Sequence, residues 1–571
     1  MAMTGAAHVL RALEDVGIQL AFGIPGTHNI ELYDQLATSK SVRPILVTDE
    51  QSASFMADAA WRASGIMACV NVVPGAGLTH AMSGIAEAFM DGIPMLVLGC
   101  GIRRDTGKAY QLHDVDQQAL ASPVTKGTFR PERGEDVYGT IRKACRLARE
   151  GCPGPVFVEI PANLYLLQQP ESAPWQEVKT NTPQPSQELL NQCADALSRS
   201  KHPLIYVGLG AAGAGADLVA LAEKLEAPVS STFQGKGVFP ESHPLFMWPG
   251  FGAAAPSFAR IIAGGCDATL AIGCRFGEVA TGSYGLTPPT PLIHVDIDPA
   301  VLGRNYPADI AIHCDAAEFV RALLPLLPSR AESDYLRNRI QKGREEAAAE
   351  IQAPSEAGVS PGRLLKSLQK IFGPETIYTS DSGNGTFLAI EGLTLDKPGQ
   401  LLGPMDYSCM GYSVPAAIGA KLARPDVPVV ALAGDGAFLM TGLELLTAAS
   451  VGVAAAFLVL RDRELAQIAQ FQGVAYNRKA CSQLPDYDLA AISAGTGVEC
   501  LQLKTDADIA TVLKQAKTIL SEGRPVAIDV AIDYSRKTFF TKGVVRTTLG
   551  RLPWMDRIRF VGRAVGRKIF E

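Results

Sequence analysis

Apolar and polar positions alternate along this chain on a coarse scale. Short, nearly charge-free runs rich in β-branched residues are separated by longer stretches of helical periodicity. The clearest case surrounds GDGAFLMTGLELLTAASVGVAAAFLVLRD, residues 434–462. The preceding PVVALA predicts a buried strand, Thr441 to Ser450 a helix, and Ala455 to Leu460 a second buried strand. A strand–helix–strand unit of this length closes as a right-handed crossover, so its strands run parallel and their carboxyl ends share one edge. Open α/β sheets bind ligands at that edge. Asp435 and Asp462 end the two strands and are therefore expected to converge, where a hard cation such as Mg²⁺ would suit them; on the residues alone, two solvated turn aspartates fit as well. Side chains alternate along a strand, so Arg461 should point away from Asp462.

Five other apolar runs end in chemically specific text. LAFG is followed by Ile24-Pro25-Gly26-Thr27-His28, PILVT by Asp49-Glu50-Gln51, and ACVNVV by Pro74-Gly75-Ala76-Gly77. PMLVLG precedes a loop containing His113, and TIYTS ends at Asp381-Ser382-Gly383-Asn384-Gly385-Thr386. Glycines at such edges let backbone N–H groups approach a phosphate. Two polar, proline-bearing stretches, 168–187 and 347–362, divide the chain into segments 1–167, 188–346 and 363–535. Each alternates strands and helices, which predicts an α/β protein of three consecutive doubly wound parallel-sheet domains.

Bulk properties narrow the class. With 571 residues the chain is too long for one core, and a net charge of −6 argues against nucleic-acid binding. The 11 cysteines form no C-x-x-C pair, which fits a reducing cytosol rather than zinc or disulfides. No signal peptide or membrane span is evident, so a cytoplasmic protein is expected. Residues 536–571 change character, carrying ten Lys or Arg against Asp556 and Glu571. Written as a helix from Trp554, residues 554, 558, 561, 565 and 569 form an apolar face opposite Arg559, Arg563 and Arg567. A basic amphipathic C-terminal helix of this kind suits peripheral contact with the inner face of a membrane, or docking on a neighbouring subunit. Lying outside the three domains, it is expected to be removable without unfolding them.

Taken in order, FGIPGTHNIELYDQL, TDEQSASFMADA, GPVFVEIP, GKGVFPESHPL, IHVDIDP, MGYSVPAAIGAKLARPDVPVVALAGDGAFLMTGLELLTA and PVAIDVAIDY resemble the thiamine-diphosphate-dependent decarboxylases and carboligases. The layout is most similar to the acetolactate synthase large subunit, over residues 4 to about 535. The resemblance implies a pyrimidine-binding first domain, a central domain and a diphosphate-binding third domain. It implies that Glu50 activates the cofactor through its aminopyrimidine and that Met410 wedges it into a bent shape. Asp435, Asp462 and the main-chain carbonyl of Glu464 would hold Mg²⁺. Gly383, Asn384, Gly385, Gly436 and Ala437 would hold the diphosphate, with Pro25, Gly26, Pro74, Gly75 and Leu465 completing the cofactor site. It further implies a homodimer or homotetramer, in which the first domain of one chain faces the third domain of another. The substrates would be a pyruvate-type 2-oxo acid, turned into an acyl-anion equivalent, and a second carbonyl compound that receives it.

Departures from the family text leave alternatives. The usual Asn-Asn at 461 and 462 is Arg-Asp here, so a catalytically silent paralogue stands beside an enzyme with an aspartate ligand. His113 replaces a glutamine, and His28 falls where benzaldehyde-lyase-like relatives place a histidine; both suit proton transfer. A 2-hydroxyacyl or 2-hydroxyketone lyase is therefore a rival reading. Phe471 matches a pocket aromatic. GLGAAGAGA (208–216) and Gly273-Cys274-Arg275-Phe276 lack the full dinucleotide fingerprint, which leaves FAD, and with it a pyruvate oxidase, open.

Overall fold

The computed structural model describes residues 3–176, 182–355, 357–559 and 562. It contains three six-stranded sheets, all parallel. The first is built from β1 (Leu20–Gly23), β2 (Arg43–Leu46), β3 (Cys69–Val72), β4 (Met95–Gly101), β5 (Thr128–Phe129) and β6 (Pro155–Pro161), in the order β2-β1-β3-β4-β6-β5. The second contains β7 (Pro203–Val207), β8 (Val229–Ser231), β9 (Phe246–Pro249), β10 (Ala268–Ile272), β11 (Leu292–Asp296) and β12 (Ile310–His313). Its order, β9-β8-β7-β10-β11-β12, is that of dinucleotide-binding sheets. The third contains β13 (Ile377–Ser380), β14 (Leu401–Leu402), β15 (Val429–Gly434), β16 (Ala456–Arg461), β17 (Glu499–Leu503) and β18 (Val526–Ala531). Its order, β14-β13-β15-β16-β18-β17, repeats that of the first sheet.

Helices cover both faces of each sheet, which explains the charge-free strands: every residue of β4 and β6 is buried. The helices that carry the argument are α1 (Glu50–Ser64), α2 (Ala76–Asp91), α3 (Asn384–Gly392), α4 (Ser413–Ala423), α5 (Asp435–Thr441), α6 (Leu445–Val451) and α7 (Phe539–Arg551). Between β15 and β16 the expected helix at 441–450 is corrected: helix starts at Asp435 and breaks at Gly442–Glu444 before α6. Asp435 supports this early start by accepting the Gly436 N–H at 2.8 Å, so the Gly-Asp-Gly text opens a helix where a longer turn was expected. The stretch 347–362 likewise begins as helix, because Asp334–Ile351 runs into it.

First and third domains pack through α1 and α4. Gly419 permits the close crossing, since a Cβ there would lie 2.1 Å from the Met56 carbonyl oxygen. Arg62 pairs with Asp58 at 2.7 Å and Asp91 at 2.8 Å, and Asp58 also accepts the Tyr412 hydroxyl at 2.5 Å. Asp91 accepts further bonds from the Gln234 amide of the central domain and the Asp406 N–H of the third. All three domains thus meet on one buried carboxylate.

The tail departs from expectation. Its first part, α7, belongs to the packed body. Phe540 stacks on Phe387 of α3 at 3.8 Å between centroids, and Gly543 lies against the Ala254 backbone. Glu391, at the far end of α3, accepts the Phe539 N–H at 3.1 Å and the Phe540 N–H at 2.9 Å, capping α7. Beyond α7, Trp554, Met555 and Ile558 are exposed on a last helical turn. Val561, Arg563, Val565, Arg567 and Ile569 lie outside the described residues. Among the described residues no helix is long and apolar enough to cross a membrane.

Candidate active site

In the third sheet the strand order reverses between β13 and β15, and the loops leaving these strands line a cavity of about 140 Å³. Around it stand Asp381, Gly383, Asn384 and Gly385 from the β13–α3 turn, and Met410 ahead of α4. Asp435, Gly436 and Ala437 enter from α5, and Asp462, Glu464 and Leu465 from the end of β16. The register puts Gly434 opposite Leu460, so the two aspartates leave neighbouring strands almost level.

Asp435 is fixed by two backbone donors, Gly436 N–H at 2.8 Å and Arg463 N–H at 2.7 Å. Arg463 itself has a left-handed backbone (φ 63°), which turns the chain sharply after the strand end. Burial raises the Asp435 pKa. Asp462 is pushed up to about 7, first by burial and then by the charge of Asp435. Arg461 does point away, as strand alternation requires. It pairs with Asp529 and Asp486, each at 2.8 Å, and lies 4.5 Å over the Tyr487 ring. A buried and a half-buried carboxylate thus line one cavity, and among the described residues neither is in an ion pair, the environment in which a divalent ion replaces a missing counter-charge. The Glu464 side chain pairs with Lys479 through one carboxylate oxygen.

The turn at Gly383 fits a phosphate group. Gly383 has φ 121°, outside the range of ordinary side chains, and α3 starts directly after it. Asn384 is buried and its Oδ1 has no hydrogen-bond partner among the described residues. A Cβ on Gly436 would lie 2.6 Å from Leu465, so this glycine admits Leu465 to the wall. Asp381, which sequence reasoning left unassigned, organises the Met410 side. Its carboxylate accepts the N–H groups of Gly411, Tyr412 and Ser413 at 2.7–3.0 Å, anchoring the start of α4. The only sequence signal for that role is its place at the end of β13.

The first sheet has the same reversal between β1 and β3. Pro25 and Gly26 leave β1, and Pro74 and Gly75 leave β3; the Gly75 N–H donates to Gln117 at 3.1 Å. His28 and His113 meet edge to face at 5.5 Å between centroids. Burial, followed by the neighbouring His113, lowers the His28 pKa. Glu50 opens α1 and is buried, 7% exposed. It is not among the residues that line the cavity around Asp435 and Asp462. Where the three domains meet, a second cavity of about 500 Å³ is lined by Gly208, Gly210, Arg275, Asp296 and Asp298, among others.

Two outer sheets of one order, each with a ligand-ready edge, around a dinucleotide-type sheet define a class, and comparison with known proteins assigns it. Residues 3–120 match the thiamine pyrophosphate enzyme N-terminal TPP binding domain, 190–323 the central domain and 381–530 the C-terminal TPP binding domain. The probable acetolactate synthase large subunit of Methanocaldococcus jannaschii is 31% identical, over 93% of this chain and 92% of that protein. The acetolactate synthase of Mycobacterium leprae is 30% identical, over 93% of this chain and 87% of its own length. The chain belongs to the thiamine pyrophosphate (thiamine diphosphate) enzymes and is similar to the acetolactate synthase large subunits.

Proposed function

We propose that this enzyme is a thiamine-diphosphate- and Mg²⁺-dependent carboligase of acetolactate synthase type, joining a pyruvate-like 2-oxo acid to a second carbonyl compound with loss of CO₂. The observation that carries the reading is the third sheet's edge: two carboxylates from neighbouring strand ends, in no ion pair among the described residues, beside the glycine turn that opens α3. Asp435, Asp462 and the Glu464 carbonyl would hold Mg²⁺, and Gly383, Asn384, Gly385, Gly436 and Ala437 the diphosphate. Leu465 and Met410 would wall the ring system. Thiamine diphosphate, when bound, supplies the carbon nucleophile and electron sink that decarboxylation of a 2-oxo acid needs. Glu50, with Pro25, Gly26, Pro74 and Gly75 about it, would exchange a proton with the aminopyrimidine. A second copy of the chain would bring that half of the site to the metal half. Leu439, Met440, Leu443 and Leu446, exposed next to Asp435, support such a homodimer or a larger homotetramer.

The paired His28 and His113 favour a second reading, cleavage of a 2-hydroxyketone or 2-hydroxyacyl substrate, since an imidazole pair can pass a proton to the departing oxygen. Purified protein given thiamine diphosphate and Mg²⁺ separates the two. CO₂ release from pyruvate with a C–C-joined product supports the carboligase, and cleavage of benzoin-type substrates without pyruvate turnover supports the lyase. No turnover of either would leave the silent paralogue. FAD would occupy the three-domain cavity, where Asp296 stands at the end of β11. A flavin spectrum that bleaches with pyruvate would favour the oxidase. For the tail we propose peripheral membrane contact through the face begun by Trp554 and Ile558; sedimentation with anionic vesicles at low salt tests it.

A further inference from the structure

Glu50 is a buried carboxylate that accepts no hydrogen bond among the described residues, and its surroundings come from the first turns of α2. Gly77 leaves room for one oxygen: a Cβ there would lie 3.0 Å from Oε1. Three residues on, and so on the same helical face, His80 directs Nδ1 at the other oxygen, 3.7 Å from Oε2. The same nitrogen is 3.6 Å from Oδ2 of Asp49. Asp49 is itself fixed as the cap of α1, its other oxygen accepting the Gln51 N–H at 2.8 Å. Among the described residues His80 is the one basic side chain within ion-pair distance of Glu50. Its ring is 61% exposed in the single chain.

We infer that His80 is a positioning residue for the reaction, resting on the reading of Glu50 given above. Its Nδ1–H, at ion-pair rather than hydrogen-bond distance, steadies one oxygen of the Glu50 carboxylate electrostatically while the other faces the cofactor, and Asp49 keeps the imidazole turned to that task. Gly77 and His80 together make α2 a holder shaped for a carboxylate, an arrangement that a chance surface ion pair would not need. A buried carboxylate without a favourable partner is costly, and the His80 imidazole is the polar group placed to offset that cost.

Long-range proton–nitrogen spectra of the cofactor-free protein test the contact without any turnover. The neutral imidazole of His80 should be the Nδ1–H tautomer in the wild type and revert to Nε2–H in the Asp49→Ala, Glu50→Ala double variant, which removes both acceptors. An Nε2–H tautomer in the wild type would overturn the proposal. With thiamine diphosphate and Mg²⁺ present, His80→Ala should lower kcat about tenfold while KM for the 2-oxo acid stays within about twofold, and His80→Gln should restore most of the loss. Equal activity in the alanine and wild-type enzymes would overturn the role. A Glu50→Gln enzyme with full activity would instead refute the thiamine reading, whatever the tautomer of His80.

Discussion

Asp462 stands between burial and the charge of Asp435, and its chemistry is what the metal proposal stakes. Asparagine offers the same oxygen without the charge, so Asp462→Asn should keep Mg²⁺-dependent cofactor binding and much of the activity. Asp462→Ala should weaken both Mg²⁺ and thiamine diphosphate, by roughly 10–100-fold in titration calorimetry, because the cation bridges protein to diphosphate. Normal binding of both by the alanine variant would remove Asp462 from the site. Lys236 and Glu241 pair at 2.6 Å with 2% of each side chain exposed. Lys236→Met strands the glutamate, and should cost about 3–5 kcal/mol in denaturant unfolding. At this scale the convergence of the two aspartates on one sheet edge was legible from parallel-strand logic, though not what they hold, and so was the outward turn of Arg461. Asp381 and His80 were not: each acts on a partner about 30 positions away in the sequence, and no local spacing announces such a contact.

Among elements, α5 shows what pattern reading misses. A helix can start on the last residue of a turn when that residue accepts its neighbour's N–H, and Gly436 gave no periodic signal for it. Because Leu465 fills the space beside Gly436, Gly436→Ala should displace that side chain into the cavity and weaken thiamine diphosphate at least several-fold, with the unfolding midpoint little changed. The junction of α3 and α7 carries a pH signature. Burial, reinforced by the charge of Glu350, pushes Glu391 from an ordinary 4.5 up to about 7, against the pull of the Phe540 and Phe539 N–H groups and Lys542. A raised folded-state value means that the folded protein keeps a proton the unfolded chain releases. The stabilising contribution is thus whole below about 4.5 and lost as pH rises through about 7. Thermal midpoints should therefore fall between pH 5 and 8 in the wild type, and fall less in Glu391→Gln.

Across the whole molecule, the charge-free strands and the polar stretches between them made three α/β units readable, because sheets covered on both faces have no polar side to disguise the pattern. The pairing of domains was not readable: it depends on Gly419 meeting Met56 and on one aspartate shared by three domains. The place of α7 escaped for a similar reason. Its phenylalanines find their partners on α3 and the central domain, far back in the chain, so a protein ending near Tyr534 should be less stable than the full chain in thermal unfolding, because Phe387 would lose its stacked partner. That position gives α3 two clients. Its first turn borders the proposed diphosphate site, and its last holds the start of α7, only nine residues along one rigid rod. Binding free energies coupled through such a rod are reciprocal. Loading the enzyme with thiamine diphosphate and Mg²⁺ should slow amide hydrogen exchange throughout 539–551, and any surface that draws the tail away should loosen the cofactor by the same factor.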